Sequence, residues 1–186
     1  MSDIIRKQSQ IDQSLNIIYP ASKIGQYEAR FVRRENDYFI IYVSAQSGCD
    51  QACRMCHLTA TGQNKLENAS YEELIKQADL VYEHYDIQEN KAKLVHYNFM
   101  ARGEALNNPV VLHDNERLLG TYGEMARIRG LDAKYLISTI MPDSMGERTL
   151  VDIFPNTLPE IYYSMYSTNE KFRKKWLARA LPYQRS

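Results

Sequence analysis

The chain is 186 residues long, enough to bury one sizeable core as a single domain. Its 23 Lys and Arg balance 23 Asp and Glu, which excludes a global field that would draw the whole surface onto nucleic acid or an anionic membrane. The opening MSDIIRKQSQIDQ lacks the apolar stretch of a signal peptide, and no apolar run approaches a membrane-spanning length, so a reducing, cytoplasmic setting with no membrane partner is expected.

The first 25 residues are polar and carry Pro20; they read as an extension or short helix packed outside a domain spanning 26–186. YFIIYVSAQ (38–46) is rich in Ile, Val and Tyr and predicts a buried strand. In the stretch 68–86, Leu74, Ala78, Val81, Tyr82 and Tyr85 share one helical face, with Ser70 and Glu73 placed as a capping box. A second strand is expected at 93–101, then a loop through Gly103 and a helical stretch over 109–129 that stops at Gly130. AKYLISTIM (133–141) predicts a third strand, 146–153 a short helix ahead of Pro155, and EIYYSMYS (160–167) a fourth strand. Ser167 with Glu170 is placed to cap a final helix. Strands and helices alternating at this spacing predict an α/β fold of right-handed βαβ units on a parallel sheet.

Every cysteine of the chain lies in GCDQACRMCH: Cys49, Cys53 and Cys56, spaced by three residues and then two, just after the first predicted strand. Three thiols cannot all pair, and in a reducing compartment a tight cluster points to metal. Zinc would need a fourth ligand, for which the adjacent His57 is the candidate. A [4Fe-4S] cluster on three cysteines would leave one iron open to another ligand. Both remain open from spacing alone.

Cys-x3-Cys-x2-Cys after the first strand of a βα series resembles the signature of the radical S-adenosylmethionine (radical SAM) superfamily. Within it, the text is similar to the RNA adenosine carbon-2 methyltransferases and the carbon-8 resistance methyltransferases. Ser44, Gln46, Gly48 and Cys49 match their Ser-x-Gln-x-Gly-Cys; Gly62 and Asn64 match a Gly and Asn beyond the third cysteine. MARGEALNNP shares Met100, Gly103, Glu104 and Asn108 with their Gly-Glu block, LISTIMP resembles the third-strand segment, and YYSMYSTNEKFRKKWL the fourth.

The resemblance implies a partial (βα) barrel of about four parallel strands with helices outside. Cys49, Cys53 and Cys56 would hold a [4Fe-4S] cluster. Gly103 and Glu104 would meet the amino-acid end of S-adenosylmethionine (SAM), and Ser138 and Ser164 its carboxylate or ribose, with Met165 and Tyr166 on the same wall. Glu28 is implied near the substrate. Reductive cleavage of SAM to a 5'-deoxyadenosyl radical is the activity implied. RNA is the implied substrate, with a flavodoxin or ferredoxin as electron donor.

The chain also departs from the pattern. It covers about half of it and holds no cysteine outside 49–56 to carry a methyl group, and Arg102, Ala105 and Tyr166 replace the usual residues. Stopping at four parallel strands would leave an unpaired edge, which is expected to be covered by the chain's own terminal segments, by a dimer, or by a partner chain completing the barrel. The alternatives are a non-catalytic Fe-S redox or regulatory module, or one half of a split enzyme. Lys171, Arg173, Lys174, Lys175, Arg179 and Arg185 near the end read as a solvated helix face in preference to an RNA contact.

Overall fold

A computed structural model describes residues 4–185. Seven strands form one mixed sheet in chain order: β1 (Ile5–Gln8), β2 (Leu15–Pro20), β3 (Gln26–Val32), β4 (Tyr38–Tyr42), β5 (Leu94–Phe99), β6 (Asp132–Thr139) and β7 (Glu160–Tyr163). The first four run antiparallel to their neighbours, and β4 to β7 are parallel. The four expected strands are thus the parallel half of a larger sheet. Residues 5–8 and 15–20 differ from the exterior extension expected of them. Leu15, Ile17 and Tyr19 alternate inward and are buried, which is the pattern of a strand with one covered face.

The helices are α1 (His57–Ala60), α2 (Tyr71–Asp86), α3 (Pro109–His113), α4 (Asn115–Arg127), α5 (Leu150–Ile153) and α6 (Glu170–Trp176). The five residues expected on the inner face of α2 are all buried. Ser70 caps the helix by accepting from the Glu73 N–H at 3.2 Å, but the Glu73 carboxylate accepts from the Tyr19 hydroxyl instead of closing the box. The stretch expected as one helix over 109–129 breaks at Asp114. The buried Asn115 side chain there donates to the carbonyls of Val111 and Ile153. Asn169, not Ser167, caps α6, accepting from the Phe172 N–H at 3.0 Å.

Helices α2 and α4 cover one face of the sheet. Tyr97 of β5 stacks on Tyr122 of α4 at 4.3 Å between centroids and donates to the Tyr122 carbonyl at 2.7 Å. Phe39 of β4 stacks on Tyr85 of α2 at 4.2 Å. Because successive side chains point to opposite faces, Asn16, Glu28, Arg30, Tyr42, His96, Asn98, Ser138 and Tyr162 project from the face without helices.

Candidate functional site

Beyond β4 the chain leaves the sheet, and a lattice of short contacts fixes it. The Val43 N–H donates to the Asn98 carbonyl at 2.9 Å, and the Gln46 N–H to the Arg102 carbonyl at 3.2 Å. The Gln46 side chain is the pivot: its amide oxygen accepts from the Glu104 N–H at 3.0 Å while its amide nitrogen donates to Asn68 at 2.8 Å. Two glycines permit this packing. A Cβ on Gly48 would lie 2.4 Å from the Lys65 carbonyl oxygen, and one on Gly103, whose φ is +85°, would lie 2.5 Å from Cβ of Gln46. These are backbone approaches that only glycine allows.

The cysteine loop grows from this base. The Cys49 N–H donates to the Gln63 carbonyl and the Cys56 N–H to the Cys53 carbonyl, each at 3.0 Å. Cys56 is the residue preceding α1, and His57 is the exposed first residue of that helix. The far end of the chain pins the loop from outside. The Arg54 N–H donates to the Trp176 carbonyl at 2.9 Å, and Arg179 pairs with Asp50 at 2.6 Å. All three thiols are free and half-buried. Burial pushes the Cys49 thiol up to about 11 and the Cys53 thiol up to about 12, with the other thiols and Glu104 adding to the rise. The sulfurs and the Glu104 carboxylate therefore share one electrostatic environment. Among the described residues no three His, Cys, Asp or Glu are gathered closely enough to hold an ion as they stand. What fits an iron-sulfur group here is the donor type and the loop, not a closed cage.

Glu104 opens the short turn Ala105–Asn107. It is 5% exposed; one carboxylate oxygen accepts from the Leu106 N–H and the other from the Ile140 N–H, both at 3.2 Å. Burial raises its pKa above the usual carboxylate range, against the lowering effect of Thr139 and these two N–H groups. A buried carboxylate within electrostatic reach of the Cys49 and Cys53 thiols suits a cationic ligand group that would restore its charge.

The remaining expected residues spread along the strand ends. Ser138 sits on β6 opposite Tyr162, its hydroxyl buried and without a partner. The Ser164 N–H donates to the Thr139 carbonyl at 2.8 Å. Met165 and Tyr166 are exposed; the Met165 carbonyl accepts from Arg173, and Tyr166 takes a positive φ of 57°. Glu28 lies on β3, lining a cleft of about 220 Å³ with Arg30, Tyr42, Met100 and Ala101. The cysteine loop, Gly103 and Glu104 thus follow the ends of neighbouring parallel strands, with Glu104 electrostatically felt by the Cys49 and Cys53 thiols, while Glu28 lies to one side and Met165 and Tyr166 to the other.

Eight buried side-chain atoms among the described residues lack a partner, and five of them, on Asn16, Arg30, His96, Asn98 and Ser138, lie on the helix-free face. A larger cleft, about 580 Å³ around Asp12, Arg33 and His84, includes the turn entering β4 and so lies at the opposite strand end from the cysteines. Sequence reading did not anticipate Asn98 or the tie from α6 to the cysteine loop. The alternation on β5 could have revealed the first; nothing local encodes the second.

No family model and no curated protein sequence matches the chain. Among solved structures it is similar to the crystal structure of a radical SAM methyltransferase from Sphaerobacter thermophilus, with a TM-score of 0.72 at 14% identity, over 95% of this chain and 49% of that one. The likeness is one of fold: an α/β chain whose mixed sheet loosely resembles the radical-SAM barrel. The chain spans about half the length of the structure it matches.

Proposed function

We propose that the protein is a radical-SAM enzyme, related to the RNA adenine methyltransferases, in which Cys49, Cys53 and Cys56 hold a [4Fe-4S] cluster and Glu104 with Gly103 receives the amino-acid end of SAM. The observation that carries this reading is the juxtaposition of the three thiols, at the end of the first parallel strand, with a buried carboxylate at the end of the second. Ligand sites of parallel α/β sheets lie at that end of the strands. When bound, the cluster supplies an open iron and a low-potential electron, with which SAM is cleaved reductively. The chain's own part is to bind and orient. The Glu104 carboxylate, fixed by two backbone N–H groups, presents its charge to an ammonium. The hydroxyl of Ser138 and the positive-φ backbone at Gly103 line the approach, and Ser164, Met165 and Tyr166 extend it past β7. Glu28 faces the acceptor side. RNA as acceptor, and a flavodoxin or ferredoxin as donor, rest on the resemblance of the sequence blocks.

The test is anaerobic reconstitution with iron and sulfide, followed by EPR, then SAM and dithionite with assay for 5'-deoxyadenosine. Four irons per chain and production of the nucleoside are expected, both lost in Cys53→Ala. Stoichiometric zinc with no response to SAM overturns the proposal, and an intact cluster without nucleoside leaves a redox or regulatory module.

A further inference from the structure

We infer that Arg102 sets the reduction potential of the cluster: its buried guanidinium is a fixed positive charge beside the cysteine loop that favours the reduced state. The inference rests on the proposed cluster at Cys49, Cys53 and Cys56 and goes beyond it, since it concerns a residue whose type the resembling family does not share.

Arg102 is 6% exposed. Its backbone carbonyl accepts from the Gln46 N–H, so the residue is anchored to the segment that leads from β4 into the cysteines. Its terminal nitrogen donates to the Gln63 side chain, and the Gln63 carbonyl in turn accepts from the Cys49 N–H. One residue therefore separates the guanidinium from the loop. Its Nε is buried without a partner, and no carboxylate forms an ion pair with it among the described residues. Cys56 and Glu28 lie within its electrostatic reach, and both favour its charged form against the cost of burial.

The other charges around the loop do not duplicate this one. Asp50 is neutralised by Arg179 at 2.6 Å. Arg54 is exposed, so water screens it. Glu104 is an acid that burial biases toward its neutral form, so it supplies no cation on the thiol side. A guanidinium stays protonated across the working range, so Arg102 is a permanent cation in a medium where charge interactions are stronger than in water. Reduction adds one electron from a low-potential one-electron donor to the cluster, making it more negative. A fixed cation stabilises that product, and the Glu28 carboxylate, whose charge acts on the same guanidinium, offsets part of the effect.

The experiment is a dithionite potentiometric titration of the anaerobically reconstituted protein, followed by EPR, with iron content measured in parallel. Arg102→Gln is expected to keep its iron and to lower the reduced-to-oxidised ratio at fixed potential about tenfold, a shift of about 59 mV for one electron. Arg102→Lys should stay within half of that shift from the parent, and Glu28→Gln should move the potential upward. An Arg102→Gln protein with full iron and the parent potential overturns the inference. So does a downward shift in Glu28→Gln, which also decides the matter if Arg102→Gln loses its iron. If the parent itself takes up no iron, the cluster reading fails first, and that outcome is told apart from the others by the iron assay alone.

Discussion

Glu104 shows how a single side chain trades stability for binding. Its carboxyl is buried, and burial raises its pKa above the unfolded value, so the fold prefers the neutral acid. The unfolded chain loses the proton first as pH rises. Stability from this group is therefore full below the unfolded carboxyl pKa and falls as pH climbs through that value toward the folded one. Thermal unfolding of the cofactor-free protein from pH 4 to 7 should show this downward component, and Glu104→Gln should lack it. The same variant should bind SAM at least tenfold more weakly by calorimetry on the reconstituted protein. Ser138 makes the complementary case. Its unpartnered buried hydroxyl costs about 1 kcal/mol or more when no ligand meets it, so Ser138→Ala should raise the unfolding free energy of the empty protein in urea. Gly103→Ala should do the reverse, losing about 2 kcal/mol or more, because a positive φ and a collision with Gln46 arise together.

At the scale of elements, α6 deserves the name of a clamp. Arg173, only 2% exposed, donates to the Met165 carbonyl at 2.7 Å and the Leu181 carbonyl at 2.8 Å, tying the end of β7 to the chain's last segment. Removing the guanidinium strands both carbonyls, so Arg173→Met should cost about 3 kcal/mol in a urea titration. Arg179→Ala, by contrast, breaks a half-exposed pair with Asp50 and should cost under about 1 kcal/mol. The fold was legible wherever periodicity meets a covered face: the inner face of α2 and the four parallel strands follow directly from it. What escaped has identifiable causes. The alternation of Leu15, Ile17, Tyr19 and of Tyr27, Ala29, Phe31 was obscured because the opposite, helix-free face is polar, carrying Asn16, Glu28 and Arg30. Strand character was extended too far at 43–46, 140–141 and 164–167, where apolar residues persist although the backbone has turned away to build the site. The cysteines and Glu104 were legible as chemistry. Arg102 was visible only as an oddity, since its burial depends on Gln46 and Gln63, distant in sequence.

For the whole molecule, the decisive feature is that the cysteine loop is tied to both halves of the chain. Backbone donors run from it to Gln63, and from Arg54 to Trp176 at 2.9 Å, so β4, β5 and α6 meet at one loop. Occupying that loop should therefore stabilise distant segments. Metal binding also displaces protons from thiols that burial holds near 11 and 12, so uptake should strengthen as pH rises from 6 to 8.5. Hydrogen exchange of the protein with and without reconstituted cluster reads this coupling segment by segment. Protection should rise in 49–63 and in 173–181, while β1 and β2, which pair with each other and with β3 but not with β4, should exchange at unchanged rates. A gain confined to 49–56 would mean that α6 rests on the loop without being coupled to it. A uniform gain throughout the sheet would mean that the protein unfolds only as one unit.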